Sequence, residues 1–293
     1  MKKCEQKGFT LVELMVVIAI IGILATALTT LFPRVREMGR AVRCKANLKN
    51  LATAAQSWAT KGHDGGNAYP RAGSWEYSIP TIHKTVYRSG TGGSRPDAWV
   101  SWTQGGGPGW PWESTSPQAS KMQASRFDGV AGTISITNGC IWEYVGKDLS
   151  IYVCDAHKNA VEAAGKAQKV VRSYVMNEIF GCNDRQQGGI DMGNVGSTAS
   201  LRLMFAEMPG LEEDGQVIGT SIAAMDSVLR YSEDEVIGFN HRLAKKLVGH
   251  AVFLDGHLET LVRPSRDKKD LTGLTRALCE AQEIDKDIRV KMR

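Results

Sequence analysis

The sequence is short of the residue patterns on which most catalysis is built. Its 293 residues include six histidines and six cysteines, but no G-x-S-x-G, H-E-x-x-H, phosphate-loop or paired C-x-x-C pattern. Nucleophilic, metalloprotease and nucleotide-dependent chemistry therefore have no motif, and no catalytic residue, cofactor or metal site is expected. Aromatic residues make up only 7% of the chain and the net charge is only +5. No aromatic-interleaved basic motif accompanies that small excess, so no nucleic-acid partner is expected. Disorder is excluded by 42% hydrophobic residues. The sharpest absence is local. From Leu14 to Phe32, nineteen residues pass without Asp, Glu, Lys, Arg or His.

As a helix, that run would be about 28 Å long, close to the hydrocarbon thickness of a bilayer. A lipid bilayer is the partner this length suits. Ala25-Thr26-Ala27 superficially offers a signal-peptidase site, but the apolar run is longer than the core of an ordinary signal peptide. A helical pattern also continues beyond it, with Val35, Met38, Val42, Leu48, Leu51, Ala55 and Trp58 at three- to four-residue spacing. One helix from Thr10 to about Thr60 is expected, half apolar and half amphipathic, with Pro33 a kink and Gly62, Gly65 and Gly66 its end. Arg34, Arg36, Arg40 and Arg43 follow the span while Lys2, Lys3 and Lys7 precede it, so charge counting alone would put the head in the cytoplasm.

The rest of the chain reads as one soluble domain with strands at Gly132 to Thr137, Ser150 to Cys154, Val170 to Met176 and Ser200 to Ala206. His250 to Val262 reads as a hairpin, with Asp255-Gly256 suiting a type I′ turn. A metal site from His241, His250, Asp255 and His257 is the alternative, although neither spacing nor ligand set matches a known module. Residues 68 to 127 shift toward Gly, Ser, Pro and Trp, where Trp110 and Trp112 either offer a ligand surface or fold back to plug the loop. Beyond Pro264 a charged segment precedes an amphipathic stretch from Leu271 to Ile288, expected as a peripheral helix or tail. Cys140, Cys154 and Cys182 are candidates for a disulfide by proximity. Cys140 with Cys154, Cys154 with Cys182, and fully reduced thiols all stay open.

Lys2, Lys3 and Lys7 followed by Gly8-Phe9-Thr10-Leu11-Val12-Glu13-Leu14 resemble the leader and cleavage site of type IV prepilins and type II secretion pseudopilins. Cys44 with Asn47-Leu48-Lys49, Tyr152-Val153-Cys154-Asp155, Arg172 to Asn177 and Phe253 to His257 resemble the large pseudopilin-like proteins of planctomycete and verrucomicrobial bacteria. Those carry a C-terminal H-x9-DG element, whereas here thirteen residues separate His241 from Asp255. The resemblance implies a leader 1–8 cut between Gly8 and Phe9 by prepilin peptidase, with Phe9 N-methylated and Cys4 lost. It implies a pilin-like α+β fold: a helix over 9–60 with its transmembrane part about 14–32, an antiparallel head over 61–263, and a tail over 264–293. It also implies an inner-membrane subunit with a periplasmic head, whose partners are other pilin or pseudopilin subunits and an inner-membrane assembly platform. A lone carboxylate in lipid is costly. Glu13 can meet the Phe9 amine of a neighbouring subunit and fix register, or it can sit at headgroup level near the helix end. The rival reading is a membrane-tethered carbohydrate- or protein-binding module that does not polymerise. A metal-dependent enzyme using the His241 to His257 region is a third.

Overall fold

The computed structural model describes residues 9–61, 69–72, 98–100, 127, 129–165, 169–180, 199–210, 227–229, 235–265, 267–282 and 292. Helix α1, Leu11–Thr60, is continuous through Pro33. Thr10 starts it with a capping box: its hydroxyl accepts from the Glu13 backbone N–H, and the Glu13 carboxylate accepts from the Thr10 N–H at 2.8 Å. Two otherwise orphaned amides are thereby satisfied. The glycines expected to end the helix, at 62, 65 and 66, lie outside the described residues.

The two halves of α1 meet different surroundings. From Leu11 to Phe32 every described side chain is exposed, including Val12, Leu14, Ile18, Ile21 and Leu28. Among the described residues no helix is long and apolar enough to cross a membrane. The side chains at 27, 30 and 31 are not among them, and the nineteen uncharged residues stand in the sequence regardless. From Ala41 onward the helix buries a stripe of Ala41, Cys44, Leu48, Leu51, Ala52, Ala55, Trp58 and Ala59. Leu48, Leu51, Ala55 and Trp58 lie on the expected face, and Val35, Met38 and Val42 do not. Val35, Met38 and Val42 are 65%, 60% and 67% exposed. At about 100° per residue they fall on the side of the helix opposite Cys44 and Leu48, and the small Ala41 and Cys44 let the head approach instead.

Among the described residues six strands form one sheet: β1 Tyr174–Asn177, β2 Leu203–Glu207, β3 Val228–Leu229, β4 His241–Leu243, β5 Lys246–Phe253 and β6 Leu258–Val262. β3 pairs with β1 in parallel; the other pairings are antiparallel. β5 is flanked by β6 along one edge, while its other edge is shared, with β4 opposite Lys246 to Val248 and β2 opposite Ala251 to Phe253. Alternating side chains serve two cores. Tyr174, Met176, Phe205 and Val252 pack with α1. Val175, Ala206, Ala251 and Phe253 pack with Leu271, Leu274 and Leu278 of a C-terminal helix, Lys268–Cys279, on the other. The result is a pilin-like α+β architecture, a long N-terminal helix on a mixed, mostly antiparallel sheet.

Several expectations are corrected. Gly132 to Thr137 is not a strand but part of helix α2, Gly129–Thr137, where Thr133 bonds back to the Gly129 carbonyl and Ile136 is fully buried. Ser150 to Cys154 is mostly the 3-10 turn Leu149–Tyr152. The stem accounts for this: the Asn47 side-chain amide donates to the Ser150 and Val153 carbonyls at 3.1 and 2.9 Å, taking acceptors that a strand would offer to a ladder. Of Val170 to Met176 only the end is strand, because Val171 and Arg172 donate to the Phe127 carbonyl instead. The hairpin is present, but its turn is not type I′, which needs positive φ at both central residues. Gly256 has φ +84° and no other residue of the turn is positive, while its N–H donates to the Phe253 carbonyl. This is the type I turn with a glycine bulge. The C-terminal helix is not peripheral, since its apolar stripe forms one of the two cores.

Candidate functional site

Of the residues expected to matter at the N-terminus, Gly8 lies outside the described residues, and Phe9 is 76% exposed. Glu13 points back to Thr10, with Thr10 Oγ1 also donating to its Oε2 at 2.8 Å. Trp110, Trp112 and Cys182 lie outside the described residues. Trp99, within the same Gly- and Trp-rich stretch of sequence, is fully buried, stacked on Tyr152 at 5.9 Å and edge-on to Phe205 at 5.0 Å. Cys140 and Cys154 are not joined in a disulfide. Cys154 turns toward Cys44 and His241 instead.

Where α1 crosses the junction of β2 and β4, four buried side chains converge. Cys44 lies on the buried stripe of α1. Cys154 is the N-cap of helix α3, Asp155–Ala163, placed by the Asn47 clamp on the residues just before it. Glu207 ends β2 and His241 begins β4. Their ligand atoms all lie within 4.8 Å of one another. Cys44 Sγ donates to Glu207 Oε1 at 3.0 Å, Cys154 Sγ is 3.3 Å from His241 Nε2, and His241 Nε2 is 3.5 Å from Glu207 Oε1. The glutamate also repairs the sheet: its Oε1 accepts the His250 backbone N–H at 3.0 Å, where β2 gives way to β4 beside β5.

A second ring of groups holds these four in place. His241 Nδ1 meets Glu37 Oε1 at 3.1 Å, and Glu37 is also paired with Arg40 at 3.3 Å. Asn240 Nδ2 donates to Glu207 Oε2 at 2.8 Å, and the Tyr174 hydroxyl donates to Cys44 Sγ at 3.3 Å. Gly238 lets the chain pass here, since a Cβ on it would run into the Met208 carbonyl.

Burial and proximity set the charges against one another. Hydrogen bonding from Cys44, reinforced by His241 and opposed by burial, brings the Cys154 thiol down to about 5. Burial pulls on His241, but the Cys154 bond and the charges of Glu207, Cys154 and Glu37 outweigh it and lift the imidazole to about 9. Glu207 is pushed up to about 8 by burial and by the facing Cys154. Burial, with Cys154 and Glu207 adding to it, holds the Cys44 thiol well above its ordinary range. The His250 ring lies 4.9 Å from that of His241 and is 1% exposed, with no hydrogen bond to either ring nitrogen. Burial and then the His241 charge push it down to about 3.

The histidines weighed together in the sequence thus part company. His241 and His250 are in the buried cluster, whereas His257 bonds to Asp255 Oδ1 at 2.6 Å at the exposed hairpin tip. Sequence reasoning missed Cys44 and Glu207. A cysteine on the buried stripe of the stem was a visible sign, but nothing marked Glu207.

Comparison with known proteins bears on the N-terminus. Residues 4–29 match the prokaryotic N-terminal methylation motif. No curated protein and no solved structure matches the chain. The chain therefore carries a prepilin-type cleavage and methylation motif, typical of type IV pilins and pseudopilins, at the start of a pilin-like helix.

Proposed function

We propose that this chain is a pilin-like structural subunit, a type II secretion pseudopilin or a type IV pilin relative, rather than an enzyme. Prepilin peptidase cuts between Gly8 and Phe9 and the new N-terminus is methylated. The run Leu14 to Phe32 anchors the precursor in the inner membrane with the head in the periplasm, and subunits then pack through their helices, with other pilin-like subunits and an assembly platform as partners. Glu13 neutralises the Phe9 amine of a neighbour and so fixes register.

The observation that carries this reading is the split of one continuous helix. Its first half exposes every described apolar side chain, and its second half is built into the head. Exposed apolar surface on that scale marks a lipid or protein contact. Val35, Met38 and Val42 extend it along the face of the stem turned away from the sheet, where a neighbouring helix would lie.

N-terminal peptide mass analysis of protein from native membranes tests the proposal. A chain beginning at N-methylated Phe9 is expected. Retained Met1, or a cut near Ala27, would overturn it.

A further inference from the structure

We propose that Cys44 Sγ, Cys154 Sγ, Glu207 Oε1 and His241 Nε2 form a tetrahedral site for a divalent cation of the zinc class, and that the ion ties the stem helix to the head sheet. With metal–ligand bonds of about 2.0–2.3 Å, a tetrahedron has edges of about 3.3–3.8 Å. Three of the six edges approach that size, with 3.0 Å from Cys44 to Glu207, 3.3 Å from Cys154 to His241 and 3.5 Å from His241 to Glu207, and all four ligand atoms lie within 4.8 Å of one another. Small shifts of the ligand atoms would admit the ion.

The donor set selects the metal. Two sulfurs, one imidazole and one carboxylate suit zinc, whereas magnesium, calcium and manganese favour all-oxygen shells. Four protein donors leave no open position, and all four residues are buried, which is the pattern of a structural site. On binding, Cys44 and Glu207 release their protons, Cys154 binds as thiolate, and His241 gives up its Nε2 proton. No electron moves. Three protons leave and two positive charges enter, so three anionic ligands, a neutral imidazole and the divalent ion leave the site with one net negative charge.

The groups around the ligands point the same way. Glu37 on His241 Nδ1 makes the carboxylate–histidine pair that orients a metal-bound imidazole, while Asn240 holds the free oxygen of Glu207 and Tyr174 donates to Cys44 Sγ. His250 packs against His241, buried with both ring nitrogens unbonded, and stays outside the four-ligand shell.

The test uses the full chain, extracted in detergent from membranes without chelator, with metal measured by plasma mass spectrometry. About one zinc per chain is expected, lost in Cys154→Ser and in His241→Ala and kept in Cys140→Ser. Removal of a buried ligand can also unfold the head, so a second measurement uses the wild-type chain alone. Cobalt(II) added to the reduced, metal-stripped protein should give thiolate-to-cobalt charge transfer and tetrahedral ligand-field bands, both abolished by zinc. Wild-type protein that contains no stoichiometric metal and shows no cobalt–thiolate band overturns the proposal. So does zinc that persists in Cys154→Ser, or a Cys44–Cys154 disulfide in peptides from native membranes. None of these results bears on N-terminal processing.

Discussion

Glu37 and His241 stand 204 residues apart in the chain and meet at 3.1 Å, carboxylate oxygen to ring Nδ1. The contact joins the stem, near the point where it leaves the exposed half of α1, to the first residue of β4. It fixes which imidazole nitrogen faces the two cysteines. In Glu37→Gln the head should fold, because the glutamate side chain is one-fifth exposed, but zinc should bind about 10- to 100-fold more weakly. Competition with a chromophoric chelator reads that ratio, and an unchanged ratio would remove Glu37 from the site.

Glu13→Ala should separate anchoring from assembly. The chain loses the glutamate half of its capping box at an exposed helix start, while processing and membrane retention continue. Cross-linking between subunits through cysteines introduced near the helix start should fall to background. Wild-type cross-linking in this variant would mean that register is set elsewhere.

Val42→Glu tests the outer face of the stem. The side chain is 67% exposed, so thermal stability of the monomer should change by less than about 0.5 kcal/mol. Fibre yield should collapse if a neighbouring helix lies on that face, because a charge would be buried there without a partner. Normal fibres would place the inter-subunit contact on another surface.

Asn47→Ala leaves the Ser150 and Val153 carbonyls without their stem donor. Loss of a buried hydrogen-bonding group costs about 1–3 kcal/mol, and Cys154 loses the clamp that positions it. A lower melting temperature and weaker metal retention should appear together. A drop in stability with metal retention unchanged would show that the turn holds its shape unaided.

The parts of the fold legible in the sequence were those written in contiguous residues. The uncharged run, the Thr10-to-Glu13 helix start and the Asp255-Gly256 hairpin each carry their signal within a few positions. The misread segments are governed from a distance. Ser150 to Cys154 has strand-like composition, but an asparagine on the stem takes its carbonyls. Gly132 to Thr137 is rich in β-branched residues, yet it is helical where Ile136 enters the core. The apolar face of the stem is legible from Leu48 onward but not before it, where Val35, Met38 and Val42 are exposed and the small Ala41 and Cys44 mark the close approach. The buried cluster was illegible for the same reason: its members come from two helices and two strands, and none has a near neighbour in sequence to announce it.

That dispersal bears on how the protein is made. Cys44 lies within the helix that emerges first, while its partners Cys154, Glu207 and His241 lie successively farther along the chain, so the constellation is incomplete until β4 has been delivered. Until then the stem exposes a cysteine and a stripe of small residues that nothing covers. The last strands therefore complete the seam, because the stripe on the stem is covered only once β4 and β5 lie against it.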